Sequence, residues 1–262
     1  MKKWMSPALV TGASGFVGGH LAETLARQNG KVKLLVRSTS KLAFKPTPNM
    51  ELCYGDVTDL ASLRKAMKGV KVVYHLAGVL RGSDFSVYRN VNAEGTRKVC
   101  QAAAENKVKR LVYVSSLSAA GPSTQAGPID ETVYPNPVSF YGQTKLMGED
   151  IALSYQNHYP VTVLRPGAVY GPRETDIFEY FKMVASGLVV IGGGDTQKIS
   201  FVYVDDLVNA VVIAAHSAKA EGETYFVSDG QSYYWGDITK VIGKALGKSY
   251  GTIKLPLGLV TT

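Results

Sequence analysis

Tyr141 and Lys145, separated by Gly142, Gln143 and Thr144, set a phenol four residues ahead of an amine. On a helix that spacing brings both side chains to one face. An unperturbed phenol titrates near ~10, about three units above neutrality, so it needs a neighbouring cation to trade protons freely at neutral pH. Lys145 supplies that cation, and the pair can then do acid and base work on an oxygen. The same spacing also suits a plain solvent-facing pair. The helix it needs is predicted from about residue 139 to about residue 155, because Pro135 and Pro137 end just before it and Gly142 is the only weak helix former until Gly148.

A second chemical signal lies near the start. Ala8-Leu9-Val10-Thr11 reads as a buried strand running into Gly12-Ala13-Ser14-Gly15-Phe16-Val17-Gly18. The first glycine permits a tight turn, the second lets a diphosphate approach the backbone, and the third allows helix to pack on strand, with the helix N–H groups facing the anion. The spacing is G-x-x-G-x-x-G, one residue wider than G-x-G-x-x-G, and the glycines would also serve a bare strand-to-helix turn. Further on, Val32-Lys33-Leu34-Leu35-Val36 ends in Arg37, where a dinucleotide fold places the group that reads the adenosine ribose. An acid there selects a free 2′-hydroxyl. Arginine suits a 2′-phosphate, with Ser38, Lys41 and Lys45 as further polar partners, or it stacks on adenine or sits in solvent.

These residues carry a family resemblance. The chain resembles the extended short-chain dehydrogenase/reductases, the NAD-dependent epimerase/dehydratase superfamily, over about residues 6 to 246. The family shares the Thr11-to-Gly18 loop, the Tyr-x-x-x-Lys pair and an upstream Ser or Thr. That hydroxyl falls in Val112-Tyr113-Val114-Ser115-Ser116, at Ser116 with Ser115 as the second choice. The resemblance implies a Ser116, Tyr141 and Lys145 triad beside a nicotinamide, with Lys145 also bonding the nicotinamide ribose. It assigns Gly12, Ser14, Gly15, Phe16, Val17, Gly18 and Arg37 to the cofactor. To these it adds Asp56 and Val57 at the adenine, Leu76, Ala77 and Gly78 after His75, Asn92, and Pro166, Gly167 and Val169 of the Arg165-to-Pro172 segment. NADP(H) is expected in preference to NAD(H), and a homodimer through two helices beside the sheet, one of them 139–155, is implied.

Two departures bear on the reaction. The family's 4,6-dehydratases carry Asp-Glu after the catalytic Thr, whereas Leu117-Ser118 follows Ser116. That leaves no acid and base for eliminating water. Sugar-nucleotide enzymes usually keep an arginine for the substrate diphosphate two residues before the segment that reads here Phe201-Val202-Tyr203-Val204-Asp205-Asp206, and Ile199 stands in its place. Lys198 and Arg173 are the candidate substitutes. The Ser116-Leu117 pattern and Ala120-Gly121-Pro122 resemble the hydroxysteroid dehydrogenase and flavonoid or cinnamoyl reductase branch. The expectation is therefore an NADP(H)-dependent oxidoreductase moving a hydride between nicotinamide and a small or apolar carbonyl or alcohol. A nucleotide-sugar epimerase with the same triad is the alternative. A non-catalytic sensor is the third reading, against which the intact triad counts.

The rest of the chain must position these groups. At 262 residues, 45% of them hydrophobic, it can bury a large core. Strands predicted at 8–11, 32–36, 51–54, 72–75, 111–114 and 161–164 alternate with helices near 16–28, 59–67, 91–105, 139–155, 174–186, 205–216 and 235–246. The fold class is α/β, a Rossmann-type doubly wound parallel sheet with a small C-terminal substrate lobe. The cofactor domain is placed at 1–170, with about 200–228 returning to it. The lobe is placed at 171–262, with Gly192-Gly193-Gly194 as a loop marker. Against the family, the lobe ends early at Leu255-to-Thr262, which leaves part of the substrate pocket in question.

Net charge of +8 raises nucleic acid as a partner, but the basic residues are scattered and several close helices, so a solvated face is the reading. No apolar run reaches a membrane span, and Lys2 and Lys3 lead directly into the first strand without a leader, so a cytoplasmic place is expected. Cys53 and Cys100 are expected to be reduced core thiols. His20, His75, His158 and His216 lack metal-ligand spacing, and no metal is expected. Asp205 and Asp206 read as a helix N-cap. Asn92 either holds a carbonyl or water in a relay or braces the sheet. Tyr170, Phe178, Phe181, Phe201 and Tyr203 either line an apolar pocket or belong to the core.

Overall fold

The computed structural model describes residues 5–28, 30–123, 127–192 and 198–255. β1 (Ala8–Thr11) leads into α1 (Phe16–Arg27), followed by β2 (Val32–Val36), β3 (Met50–Tyr54), α2 (Leu60–Ala66) and β4 (Val72–His75). A short α3 (Phe85–Tyr88) runs through a π-helical stretch, Arg89–Glu94, into α4 (Gly95–Glu105). β5 (Arg110–Val114), a 3₁₀ turn at Leu117–Ala119, α5 (Phe140–Leu153) and β6 (Val161–Pro166) follow. Then come β7 (Ala168–Tyr170), α6 (Asp176–Ser186), β8 (Leu188–Gly192), β9 (Lys198–Ile199), β10 (Phe201–Tyr203) and α7 (Val204–His216). The chain closes with β11 (Thr224–Val227), β12 (Tyr233–Tyr234), α8 (Trp235–Leu246) and β13 (Gly251–Leu255).

Two compact units result: Met1–Pro166 with Val204–Val227, and Gly167–Tyr203 with Ser228–Thr262. The first holds a seven-stranded sheet in the order β11-β6-β5-β4-β1-β2-β3, every neighbouring pair parallel. Parallel strands need crossover helices, which cover both faces, so the inner strands are buried all round, whereas the edge strand β3 has no buried residue. β1, β4, β5 and β6 are buried at every position. Leu9, Val73, Leu111, Val161 and Val163 form the continuous core with Val99 and Ala102 of α4. The chain order reverses between β1 and β4, and such a switch point opens a crevice at the carboxyl ends of the strands, where Thr11 pairs with His75.

The second unit is built of pairs: β7 with β10 and β8 with β13 in parallel, β9 with β12 antiparallel. Val184, Val189 and Ile242 make its small core, with Tyr180, Trp235, Ile238 and Tyr250 packed against it.

Several expectations shift. The change of unit falls at Gly167 and the return at Val204, because Phe201–Tyr203 pairs with Ala168–Tyr170 and so stays in the second unit. The helix expected at 91–105 begins as a π-helical stretch that carries Asn92. Glu174 accepts from the N–H groups of Asp176 and Ile177, which starts α6 at Asp176. Asp205 and Asp206 lie inside the first turn of α7 and do not cap it; Asp205 faces His20 Nδ1 at 3.6 Å. Of the thiols, Cys100 is buried but Cys53, on the edge strand β3, is half exposed. Gly193, Gly194 and the tail from Pro256 lie outside the described residues.

Candidate active site

The catalytic candidates sit at the ends of β5 and α5 within the first unit. Ser139 caps α5 by accepting from the Gly142 N–H at 3.0 Å, so the helix starts one residue before Tyr141. Gly142 and Gly148, weak helix formers, are there for close approach. A Cβ on Gly142 would stand 2.2 Å from Ser118 O, and one on Gly148 would stand 2.3 Å from Tyr113 Oη. The helix therefore lies directly on the β5 end, which brings Tyr141 to Ser116.

Ser116 is half-buried and begins the 3₁₀ turn. Its Oγ accepts from Ser118 N at 3.1 Å, so its hydrogen is left to point elsewhere. Burial pushes the Tyr141 phenol above its ordinary value, and the nearby Ser116 hydroxyl pulls the other way. Lys145 is 3% exposed; its Nζ donates to Val114 O at 2.8 Å and lies 4.3 Å over the Tyr113 ring. Burial drops the amine to about 7, with Glu149 pulling it back up. In this structure burial is the main influence on the phenol, and the Lys145 amine is turned to a backbone oxygen.

The rival serine is turned away. Ser115 Oγ bonds Glu149, which also takes Arg165 Nη2 at 2.6 Å and Nε at 3.0 Å. All three side chains are buried. Glu149, four residues past Lys145, was not among the residues singled out from the sequence, although the i,i+4 repetition Tyr141, Lys145, Glu149 was there to be read. Thr96 and Thr144 were missed too; ordinary helix threonines give no sequence signal.

The cofactor candidates Gly12 to Gly18, Arg37, Asp56, Val57 and Leu76 to Gly78 lie at or after the carboxyl ends of β1 to β4, with Pro166 ending β6. Gly167 and Val169 lie in the other unit. The glycine loop fits a dinucleotide diphosphate. Gly12 has φ 72°, and a Cβ there would stand 2.8 Å from Ala77 N; one on Gly18 would stand 2.2 Å from Gly12 O. The close packing of loop and helix accounts for those two. Gly15 is exposed, its Cβ would meet only Gly12 O at 3.2 Å, and it starts α1 with no side-chain cap. That contact is tight but slight, and the open N–H end of α1 at Gly15 suits an approaching anion. Asp56 Oδ1 accepts from both Thr58 N and Oγ1 at 2.8 Å, fixing the carboxylate after β3. Arg37, Ser38, Lys41 and Lys45 are all exposed. Asn92 holds a backbone carbonyl, as one of its two readings expected: Nδ2 donates to Val79 O and to Thr144 Oγ1, while Oδ1 accepts from Val79 N.

In the second unit, Tyr170 packs edge-on against Phe201 and Tyr203, and Phe201 against Tyr233 and Trp235. Phe201 is buried, while Tyr170, Phe178 and Phe181 are exposed. Ile199 pairs with Tyr233, and Lys198 Nζ lies 4.8 Å over the Tyr234 ring. Among the described residues there is no cluster of His, Cys, Asp or Glu that could hold a metal, and no helix long and apolar enough to cross a membrane.

Comparison with known proteins places this architecture. Residues 8–228 match the NAD dependent epimerase/dehydratase family. The chain is 30% identical to N-acetyl-alpha-D-glucosaminyl-diphospho-ditrans,octacis-undecaprenol 4-epimerase of Escherichia coli O157:H7, over 96% of this chain and 76% of that protein. It is 28% identical to the 3-beta-hydroxysteroid dehydrogenase of Mycolicibacterium neoaurum, over 96% of this chain and 73% of that one. The solved structure of MoeE5 in complex with UDP-glucose and NAD superposes with a TM-score of 0.85 at 27% identity, covering 96% of this chain and 85% of that one. With its Rossmann-type α/β fold, the chain belongs to the NAD dependent epimerase/dehydratase family, within the extended short-chain dehydrogenase/reductases.

Proposed function

We propose that this protein is an NADP(H)-dependent oxidoreductase that interconverts a small or apolar carbonyl compound and its alcohol, using Ser116, Tyr141 and Lys145. The observation that carries the reading is the packing of α5 directly on the end of β5, which sets Tyr141 near Ser116, with Lys145 one helical turn on. Gly12 to Gly18 would hold the diphosphate, Asp56 and Val57 the adenine, and Leu76 to Gly78 and Pro166 would lie along the dinucleotide. When bound, the nicotinamide supplies or accepts the hydride. In reduction, negative charge grows on the substrate oxygen; Tyr141 Oη gives it a proton and the Ser116 hydroxyl donates a hydrogen bond to it. In oxidation Tyr141 takes the alcohol proton. Lys145 keeps positive charge near that transfer and is the residue to bond the ribose.

Arg37 with Ser38, Lys41 and Lys45 supports a 2′-phosphate and so NADP(H). Ile199, the aromatic set around Tyr170 and Phe201, and the likeness to a hydroxysteroid dehydrogenase support an apolar substrate. The likeness to MoeE5 with UDP-glucose and NAD, and to a 4-epimerase, favours a second reading as a sugar-nucleotide epimerase that uses NAD. A homodimer and a cytoplasmic place belong to the same proposal.

Oxidation of NADPH and NADH against a panel of aldehydes, ketones and UDP-sugars separates the two. Net consumption of NADPH with an apolar carbonyl compound is expected, and Tyr141→Phe should lose most of it while still binding NADPH. Turnover of UDP-sugars alone, without net consumption of cofactor, would reverse the ranking.

A further inference from the structure

A buried polar run, apart from Ser116 and Tyr141, crosses the first unit from the strand feeding the glycine loop to the first turn of α5. Thr11 Oγ1 and His75 Nδ1 are 2.7 Å apart, and His75 Nε2 and Thr96 Oγ1 are 2.9 Å apart. Thr96 Oγ1 donates to Asn92 O at 2.7 Å. The Asn92 side chain carries the run onward, Nδ2 donating to Thr144 Oγ1 at 3.1 Å and Oδ1 accepting from Val79 N at 2.8 Å. Thr11, His75, Thr96, Asn92 and Thr144 are each 0% exposed, so solvent competes for none of these bonds.

Counting hydrogens gives the run a direction. Thr96 has one hydroxyl hydrogen, and Asn92 O can only accept, so that hydrogen is spent. His75 Nε2 must therefore bring its own hydrogen to Thr96. Burial, with Lys145 nearby, holds the imidazole down at about 3, so it is neutral and Nδ1 is bare. Thr11 then donates to Nδ1, and its lone pairs take the N–H groups of Leu76 and Ala77, each at 3.2 Å. At the far end Thr144 donates to Phe140 O or Tyr141 O, which leaves it an acceptor for Asn92. One assignment satisfies every group.

We propose that His75 is a positioning residue, locked as the Nε2–H tautomer, that ties the placement of the glycine-loop strand to Asn92 and through it to the turn of α5 that bears Tyr141. The proposal rests on the reading of Tyr141 as the proton donor. Leu76 and Ala77 are candidate cofactor contacts and bond to Thr11, so the run would set dinucleotide and phenol in one register.

The tautomer is read by ¹⁵N NMR of the full chain, with His75 assigned by the loss of its signals in His75→Gln. From about pH 8 to about pH 5 a protonated Nε2 and a bare, hydrogen-bonded Nδ1 are expected. A protonated Nδ1, an averaged pair, or titration inside that window would overturn the proposal. Transmission is read by amide exchange in His75→Leu. Roughly tenfold faster exchange is expected at Val79, Gly142 and Gln143, with β2 and β3 unchanged and partial recovery in His75→Gln, whose amide nitrogen reaches the Nε2 position. Faster exchange confined to Leu76, Ala77 and Thr96 would refute it. Should His75→Leu not fold, Thr96→Val breaks the same run one bond later and must give the same pattern. Neither readout involves turnover, so an active Tyr141→Phe would end the catalytic reading without altering the NMR result.

Discussion

Ser115 and Ser116, neighbours in the chain, are committed to different partners: Ser115 Oγ to the buried Glu149, and Ser116 Oγ to the Ser118 N–H, near the Tyr141 phenol. Extended backbone turns successive side chains to opposite sides, which is how one strand end serves both a structural clamp and the proposed catalytic hydroxyl.

The two alanine variants should therefore fail differently. Ser116→Ala removes a donor aimed at the reacting oxygen, and about 10²- to 10³-fold is expected off kcat with melting temperature held. Ser115→Ala removes a hydrogen bond to a charged group, and about 1.5–3 kcal/mol of stability should go while kcat per folded molecule stays within a few-fold. Steady-state kinetics and urea unfolding on both variants check this; the reverse pattern would make Ser115 the catalytic hydroxyl.

The glycine loop separates packing from binding in the same manner. A Cβ at Gly18 would stand 2.2 Å from Gly12 O, backbone that cannot yield, so Gly18→Ala should fold poorly or not at all. Gly15 has φ −82°, a value alanine adopts, and a single contact at 3.2 Å. Gly15→Ala should stay within about 1 kcal/mol of the wild type yet bind NADPH about tenfold or more weakly, because the methyl occupies the approach of the diphosphate. Fluorescence titration with NADPH and thermal unfolding decide the matter.

Arg37 follows β2 in solvent, with Ser38, Lys41 and Lys45 exposed beside it in sequence. Arg37→Glu replaces a donor fork with an acceptor suited to a free 2′-hydroxyl. The ratio of NADPH to NADH affinity is expected to fall by about tenfold or more, about 1.4 kcal/mol. An unchanged ratio would leave the choice of cofactor to other groups.

The parallel sheet was legible because β1, β2, β4, β5 and β6 are short, mostly apolar runs, and burial on both faces is what such runs record. The helix that carries Tyr141 and Lys145 and the glycine turn into α1 were legible for a similar reason: local geometry alone dictates them. In the second unit the two helices were legible but the strands were not, since β7 to β10 are two- to five-residue strands whose partners lie far along the chain, and no local period marks a strand of two residues. The π-helical stretch at Asn92 was missed because its cause, the bonds to Val79 and Thr144, is tertiary. Glu149 shows the same limit: a helix-face glutamate usually faces water, and only Arg165 and Ser115 make its burial tolerable.

That burial has a direct consequence. Arg165 and Glu149 side chains are 6% and 2% exposed and joined at 2.6 Å. Glu149→Gln keeps the shape but leaves a guanidinium buried without its counter-charge. About 3 kcal/mol of stability should be lost, far more than for an exposed pair such as Lys182 and Glu179, where removal should cost under about 1 kcal/mol. Urea unfolding of the two variants side by side tests the contrast, and equal losses would mean that Arg165 finds another partner.

Lys145 makes stability depend on pH in a direction that follows from its burial. The folded amine titrates at about 7, with burial as the main cause, whereas the unfolded chain holds its proton to about 10.4. Between those values the unfolded state binds a proton that the folded state lacks, so this group's contribution to stability rises with pH across the window, and its burden is complete below about 7. Removing the charge should lift that burden. Lys145→Met is expected to be more stable than the wild type at about pH 6, by on the order of a few kcal/mol, with the gap closing toward about pH 10. Unfolding curves at several pH values measure the gap directly. A gap that stays constant, or a methionine variant that is weaker at low pH, would mean that Glu149 and the Val114 carbonyl hold the charged amine better than burial disfavours it.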